Sequence, residues 1–180
     1  MLVPDFHLHR LITEGHVDVE PYDVLMLQPA SLDLRLHHLY RRPSPSVRYI
    51  DVADVPDGHT TQIDSRSHAM TLAPGQFILG CTAERIRLPA AYAGRVEGKS
   101  SLARLGIAVH VTGGFIDPGF DGQVTLEIAN LSPWTIMLRA GMPIAQIALQ
   151  ELQADPHKLY ASKGHYQGQS GPTESRYRLS

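Results

Sequence analysis

The sequence predicts a mainly β protein, a sandwich or barrel with a short N-terminal helix, and three observations carry that prediction. Apolar runs of strand length recur near 69–73, 77–82, 85–88, 93–97, 107–112, 122–130, 134–138 and 143–152. Turn signals separate them: Pro74-Gly75, Pro89, Gly98, Gly106, Pro118-Gly119, Pro133 and Gly141. Gly 15 and Pro 13 among 180 residues favour many turns over long helices.

Each element has its own signature. Residues 5–13 read as the first of two short helices. Leu8, Leu11 and Ile12 recur at helical spacing, with Pro4 and Asp5 before them and Gly15 after. Residues 31–36 alternate polar and apolar and predict a strand, as do 47–52. Residues 53–68 are polar, contain Asp57-Gly58 and predict a loop. The clearest strand is 122–130, where Val124, Leu126 and Ile128 share one face and Thr125 and Glu127 the other. No internal repeat is evident. The division is a main domain over 1–152 and a distinct tail over 153–180. The tail has Gly164, Gly168, Gly171, Pro156 and Pro172, few aliphatics, and Tyr160, Tyr166 and Tyr177. It sets Lys158, Lys163, Arg176 and Arg178 against Asp155 and Glu174. Two readings stay open: a disordered terminus, or a basic, aromatic lid that orders over an anionic ligand.

Charge and cysteine count narrow the function. Lys+Arg 16 against Asp+Glu 18 gives a formal charge of −2, which argues against a binder of nucleic-acid polymers. Any anionic ligand must be held by a local cluster of cations. Cys81 is the lone cysteine, so an internal disulfide and a multi-thiolate zinc site are both excluded. Its expected role is a small buried hydrophobe. No run approaches the roughly 18 apolar residues of a membrane helix. The N-terminus lacks the apolar core of a signal peptide. The expectation is a cytoplasmic protein with no membrane partner.

Most of the chemistry lies between residues 94 and 130. Gly98-Lys99-Ser100-Ser101-Leu102-Ala103-Arg104-Leu105-Gly106 leaves a strand and enters a short helix. Ser100 or Ser101 is positioned to cap it and Gly106 to end it. Hydroxyls, cations and backbone N–H groups at one place suit a phosphate, though an ordinary capped turn has the same pattern. The spacing is not that of a Walker A loop. Glu127 reads either as a solvated outer-face carboxylate or as a pocket carboxylate placed for proton transfer. In a simple hairpin Asp117 would pair near residue 122 or 123, leaving Glu127 on the order of 15 Å away at strand rise. If both serve one ligand, they bracket it or the site combines chains.

The run Glu97–Gly106, followed by Thr112-Gly-Gly-Phe-Ile-Asp-Pro-Gly-Phe120 and Val124-Thr-Leu-Glu127, resembles the dCTP deaminase family, which shares the trimeric dUTPase fold. The resemblance extends to Gln28–Leu36, Pro74–Gly80, Gly141–Gln146 and Tyr166-Gln-Gly-Gln169, and so covers nearly the whole chain. It lies nearest the bifunctional branch, which converts dCTP to dUMP and pyrophosphate. The resemblance implies a dUTPase-like distorted barrel with a C-terminal lid, a homotrimer with sites between subunits, and a place in pyrimidine deoxynucleotide synthesis.

The resemblance also implies roles. Lys99, Ser100, Ser101, Leu102, Ala103 and Arg104 contact the triphosphate and shape the reaction site, with Ser100 and Arg104 near the attacking water. Glu127 is the general acid/base. Asp117 contacts the deoxyribose and, in the bifunctional branch, helps activate water at the phosphate. Thr125 and Leu126 line the base pocket with backbone groups, and Gln146, Tyr160 and Gln169 are further nucleotide contacts. Gly114-Phe115 stands where members that stop at dUTP commonly have His-Arg. His165 stands where the family usually has lysine before the tyrosine of Tyr-x-x-Gln, and Lys163 lies two residues away to supply the charge. His110-Val111 resembles the segment through which the family responds to dTTP as an inhibitor, although a packed strand histidine is the plainer reading.

The residues agree with such chemistry. Zinc deaminases need His-x-Glu with Pro-Cys-x-x-Cys, which one cysteine cannot supply, and no His-Glu-x-x-His pattern is present. A zinc-free route through Glu127, with magnesium accompanying the triphosphate, is the expectation. A deaminase stopping at dUTP, a dUTPase alone and a weakened nucleotide-binding regulator are the alternatives.

Overall fold

A computed structural model describes residues 1–177. Helix α1 covers Asp5–Thr13 and buries Leu8 and Leu11, the stripe its spacing predicts. Thirteen strands follow among the described residues: β1 (Asp18–Glu20), β2 (Leu27–Gln28), β3 (Ser31–Arg35), β4 (Leu39–Pro43), β5 (Thr60–Asp64), β6 (Met70–Leu72), β7 (Phe77–Arg87), β8 (Tyr92–Gly98), β9 (Ile107–Ala108), β10 (Phe115–Ile116), β11 (Asp121–Asn130), β12 (Ile136–Leu138) and β13 (Pro143–Glu151). A second short helix, α2 (Ser100–Ala103), lies between β8 and β9.

The strands form two large sheets. One runs β5-β4-β7-β11-β9, with β1 also on β7, and the other runs β10-β8-β13-β3-β2. β6 and β12 make a separate ribbon. Both sheets feed one core: Ile78, Ile86, Leu126 and Ile128 from the first meet Leu32, Leu34, Val96 and Ile147 from the second. Fully burying such a side chain contributes roughly 1.5–3 kcal/mol, so this shared interior holds the sheets together. A bridge from Leu36 to Thr82 ties the two sheets where β3 runs out.

β11 follows its sequence pattern closely, with even positions buried and odd positions half-buried along its whole length. Four expectations need correction. Residues 47–52 form no strand, only a bridge between Asp51 and Asp54. β4 pairs with β5 from Leu39↔Asp64 to Pro43↔Thr60, and 47–52 lie in the connection between these strands without joining the sheet, so Tyr49 and Val52 stay exposed. The predicted loop at 53–68 contains β5, whose Thr-Thr-Gln-Ile-Asp carries little apolar signal because it is an edge strand with one wet face. The runs 77–82 and 85–88 are one strand, joined across a buried Glu84 that binds the backbone N–H and guanidinium Nε of Arg35. Neither Ser100 nor Ser101 caps α2. Lys99 holds the N-cap position without a side-chain cap, its ammonium drawn to Asp33 at 2.5 Å. Gly106 does end this segment, at φ +81, a backbone conformation that favours glycine.

Candidate active site

Glu127 projects from the half-buried face of β11, opposite Leu79 of β7. Strand period alone puts Thr125 on the same face, while Leu126 points into the core at 0% exposure. Asp117 reaches this region by a route that a simple hairpin does not allow. β10 pairs with β8 of the other sheet, not with β11, so Asp117 emerges from the opposite layer. The two carboxylates bracket one cavity of about 690 Å³, lined also by Phe115, Phe120, Tyr160 and Gln169. That is room for a nucleoside-sized ligand in a cavity with apolar walls and a few convergent polar groups.

The Glu127 carboxylate is held from behind. Its Oε2 accepts the Val111 N–H at 3.0 Å, and a Cβ on Gly113 would sit 2.8 Å from Oε1. Glycine at 113 is therefore a condition for this carboxylate position. Gly114 is equally confined: its carbonyl accepts the Val96 N–H at 2.7 Å, and a Cβ there would lie 2.8 Å from the Val96 carbonyl and 3.3 Å from the His110 ring. The Val96 carbonyl leaves no room for a larger side chain without displacing the loop.

The described part of the tail closes one side of the cavity, through Tyr160, Tyr166, Gln169, Thr173 and Ser175. Tyr160 packs on Phe120 at 5.6 Å between ring centroids, and its hydroxyl accepts the Tyr166 N–H. Burial, with Tyr166 and Asp117 nearby, pushes the Tyr160 phenol up despite that bond and Arg176, so it stays neutral. Gln169 is buried, and its side-chain N–H donates to the Gln123 carbonyl at 2.6 Å. Lys163 and His165 line an adjoining recess of about 500 Å³ that shares Phe115, Asp117 and Tyr160 with the main cavity.

The remaining candidates gather elsewhere. Lys99, Ser100, Ser101, Leu102, Ala103 and Arg104 lie outside the lining of the Glu127 cavity. Lys99 pairs with Asp33, whose side chain is 7% exposed and also accepts from Gln28. Gln146 joins the same corner, accepting from Ser31 at 2.7 Å and donating to the Gly98 carbonyl. One chain thus holds a carboxylate cavity and, apart from it, a corner carrying Lys99, Ser100, Ser101 and Arg104. Asp33, Ser31 and Gln123 touch the candidate residues Lys99, Gln146 and Gln169 and were passed over in sequence reading. Ser31 and Asp33 alternate within a strand and are both buried, and polar residues at buried strand positions are the signal that marks them.

Cys81 is buried, and burial pushes its thiol up to about 12, as for an inert core residue. Among the described residues no three His, Cys, Asp or Glu side chains converge as a metal-binding group, and no helix is long and apolar enough to cross a membrane.

Comparison with known proteins identifies the architecture. A family model for dCTP deaminase-like proteins matches residues 2–152. The dUMP-forming dCTP deaminase of Mycolicibacterium vanbaalenii is 44% identical over 182 residues, covering 98% of this chain and 95% of that protein. A protein of the same name from Bifidobacterium longum is 42% identical, covering 98% of this chain and 94% of the other. The crystal structure of 2'-deoxycytidine 5'-triphosphate deaminase from Agrobacterium tumefaciens superposes with a TM-score of 0.65 at 26% identity, over 82% of this chain and 47% of that one. This chain therefore spans about half the length of that structure. The mainly β fold read from the sequence stands, and the chain belongs to the dCTP deaminase-like family.

Proposed function

We propose that the protein deaminates dCTP and cleaves the resulting triphosphate, giving dUMP, ammonia and pyrophosphate. The observation that carries this reading is the facing of Glu127 and Asp117 across one nucleoside-sized cavity whose far wall is the tail. Relatives named dUMP-forming dCTP deaminases match this chain over almost its full length and support the same reading.

Deamination at C4 needs three events: a water loses a proton and adds to C4, the ring nitrogen gains a proton, and the amine gains a proton and leaves as ammonia. Glu127 serves as the group that takes the first water proton and passes it to the ring nitrogen, then takes the second from the hydroxyl on C4 and passes it to the amine, leaving the C4 carbonyl. The Val111 N–H orients its carboxylate, so that the proton transfers occur at a positioned oxygen. Zinc has no part in this route. Asp117 aligns the sugar and directs the second water to the phosphate. Magnesium enters as part of the substrate, as the metal complex of the triphosphate, and neutralises much of the phosphate charge.

Lys99, Ser100 and Arg104 join this chemistry when a second copy of the chain brings its α2 corner to the Glu127 cavity. A homotrimer with composite sites answers the separation between the two regions. The tightness at Gly114 favours the bifunctional branch, because a histidine there would meet the Val96 carbonyl. His110 packs beside that same glycine, and dTTP as a feedback ligand of this loop completes the proposal. The protein acts in the cytoplasm, in pyrimidine deoxynucleotide synthesis.

Product analysis tests the reading. The protein is incubated with dCTP and magnesium, and ammonia, dCTP, dUTP and dUMP are separated and quantified. Ammonia and dUMP in equal amounts are expected. Accumulation of dUTP overturns the bifunctional assignment. Hydrolysis of added dUTP with no ammonia from dCTP leaves a dUTPase, and tight binding without turnover leaves a regulator.

A further inference from the structure

We propose that Glu174 and Gln123 are positioning residues that latch the tail, as a strap, across the mouth of the cavity. The proposal rests on the reading that the tail covers a bound nucleotide. It begins with an irregularity in β11. The β11–β7 register shifts between Gln123 and Thr125, where the Thr82 hydroxyl takes over the Val124 N–H at 2.9 Å. The β11 residue passed over by the shift is Val124, while Gln123 stays opposite Arg85 in the ladder with its backbone N–H and carbonyl turned to the tail. The Gln123 N–H donates to the Gln169 carbonyl at 3.1 Å, and its carbonyl accepts the Gln169 side chain at 2.6 Å. Its own side chain donates to the Thr82 carbonyl and accepts the Gly171 N–H at 2.7 Å. Gln123 thus holds the strap by both backbone and side chain.

Glu174 holds the other end. Thr173 and Ser175 line the cavity, while Glu174 between them faces the β4–β5 hairpin. Its Oε2 accepts the Thr60 hydroxyl at 2.6 Å and the Arg41 guanidinium at 3.1 Å, and its Oε1 accepts the Gly58 N–H at 3.3 Å. Arg41 is itself fixed by Thr60, so the acceptor meets a preset fork. Between the two anchors, Thr125 accepts the Thr173 N–H at 3.2 Å. The strap therefore spans from β11 to the hairpin, over the face that carries Glu127. Glu174 lies outside the cavity lining, so it acts on the nucleotide only by fixing where Gln169 and Thr173 stand.

The test combines Glu174→Ala, Glu174→Gln and Gln123→Ala in the full chain. Amide hydrogen exchange without nucleotide reads the strap directly, and steady-state kinetics with dCTP reads its use. Losing hydrogen bonds to a charged group predicts about tenfold faster exchange over residues 169–175 in Glu174→Ala, with β11 unchanged. The expected kinetic effect is a rise of about tenfold in KM for dCTP with kcat within about twofold. Glu174→Gln, which keeps the acceptors but not the charge, recovers part of both effects, and Gln123→Ala repeats the pattern with exchange rising first at Gly171. Unchanged strap exchange overturns the latch. Faster exchange with unchanged KM overturns the positioning role. A fall in kcat at constant KM places Glu174 in the chemistry instead. Failure of wild-type protein to turn over dCTP removes the functional reading and the positioning role with it, while the exchange data still decide whether the latch exists.

Discussion

β11 and the tail meet at one cavity but are built by opposite means. β11 is a ten-residue strand paired to β7 along most of its length and to β9 at its end, with alternate side chains sealed in the core. Residues 153–177 contain no strand and one short 3-10 turn, Tyr160–Ser162. The distal part is secured almost wholly by polar contacts through Gln167, Gln169, Gly171, Thr173 and Glu174. The difference suits the proposed roles. A group that transfers protons needs an element that opens only with the whole fold, as Glu127 has, whereas a cover needs contacts that break and re-form at low cost, as around Tyr160 and Gln169.

The largest expected effect is on the rigid side. Glu127→Gln is nearly isosteric but cannot shuttle a proton, and ammonia release should fall by about 100- to 10,000-fold with dCTP binding and thermal stability retained. Near-normal ammonia release would remove Glu127 from the mechanism. Gly113→Ala attacks the same group through packing, because the new methyl would press on Oε1 from 2.8 Å. A displaced carboxylate should lower kcat by on the order of 100-fold with little change in KM. An unaltered kcat would show that the carboxylate is not held by this loop during turnover.

On the soft side, deleting 160–180 should cut kcat/KM for dCTP by about tenfold or more while the β framework persists. Loss of the Tyr160–Phe120 contact should lower the melting temperature by only a few degrees. A truncated enzyme with unchanged dCTP dependence would refute the lid, and Tyr160, Lys163, His165 and Gln169 would leave the site.

The smallest effect is the pH response of the latch. Burial raises the Glu174 carboxyl, but bonds from Thr60 and Gly58, with Arg41 and His59 alongside, outweigh it and hold the group below its ordinary range. Asp57 and Arg176 share the neighbouring recess. A depressed folded value means the contribution is present above the unfolded carboxyl value and is lost as the pH falls through the folded one. Strap protection, taken relative to the intrinsic exchange rate at each pH, should therefore fall in acid and be constant near neutrality, and Glu174→Gln should abolish the acid fall.

The long central motif makes much of the site legible from residue order alone. Glu127, Thr125 and Leu126 are placed by strand period, since alternation fixes which face each side chain takes. The α1 stripe and the glycine stop after α2 are equally local. Residues 39–43 and 60–64 are hard to read because edge strands need little apolar pattern. Residues 47–52 mislead because alternation alone does not make a strand: the segment stays in the β4–β5 connection and pairs with neither.

What the sequence determined by itself is what depends on near neighbours in the chain: β character, turn positions, the faces of β11, and the residue types that exclude a multi-thiolate zinc site. Only the tertiary structure decided which groups face each other. It brought Asp117 in from the sheet opposite Glu127, put Lys99 on Asp33, and laid Glu174 on Arg41 and Thr60 across 114 residues from Thr60. Such pairings follow from sheet order, which arises from packing between segments distant in sequence.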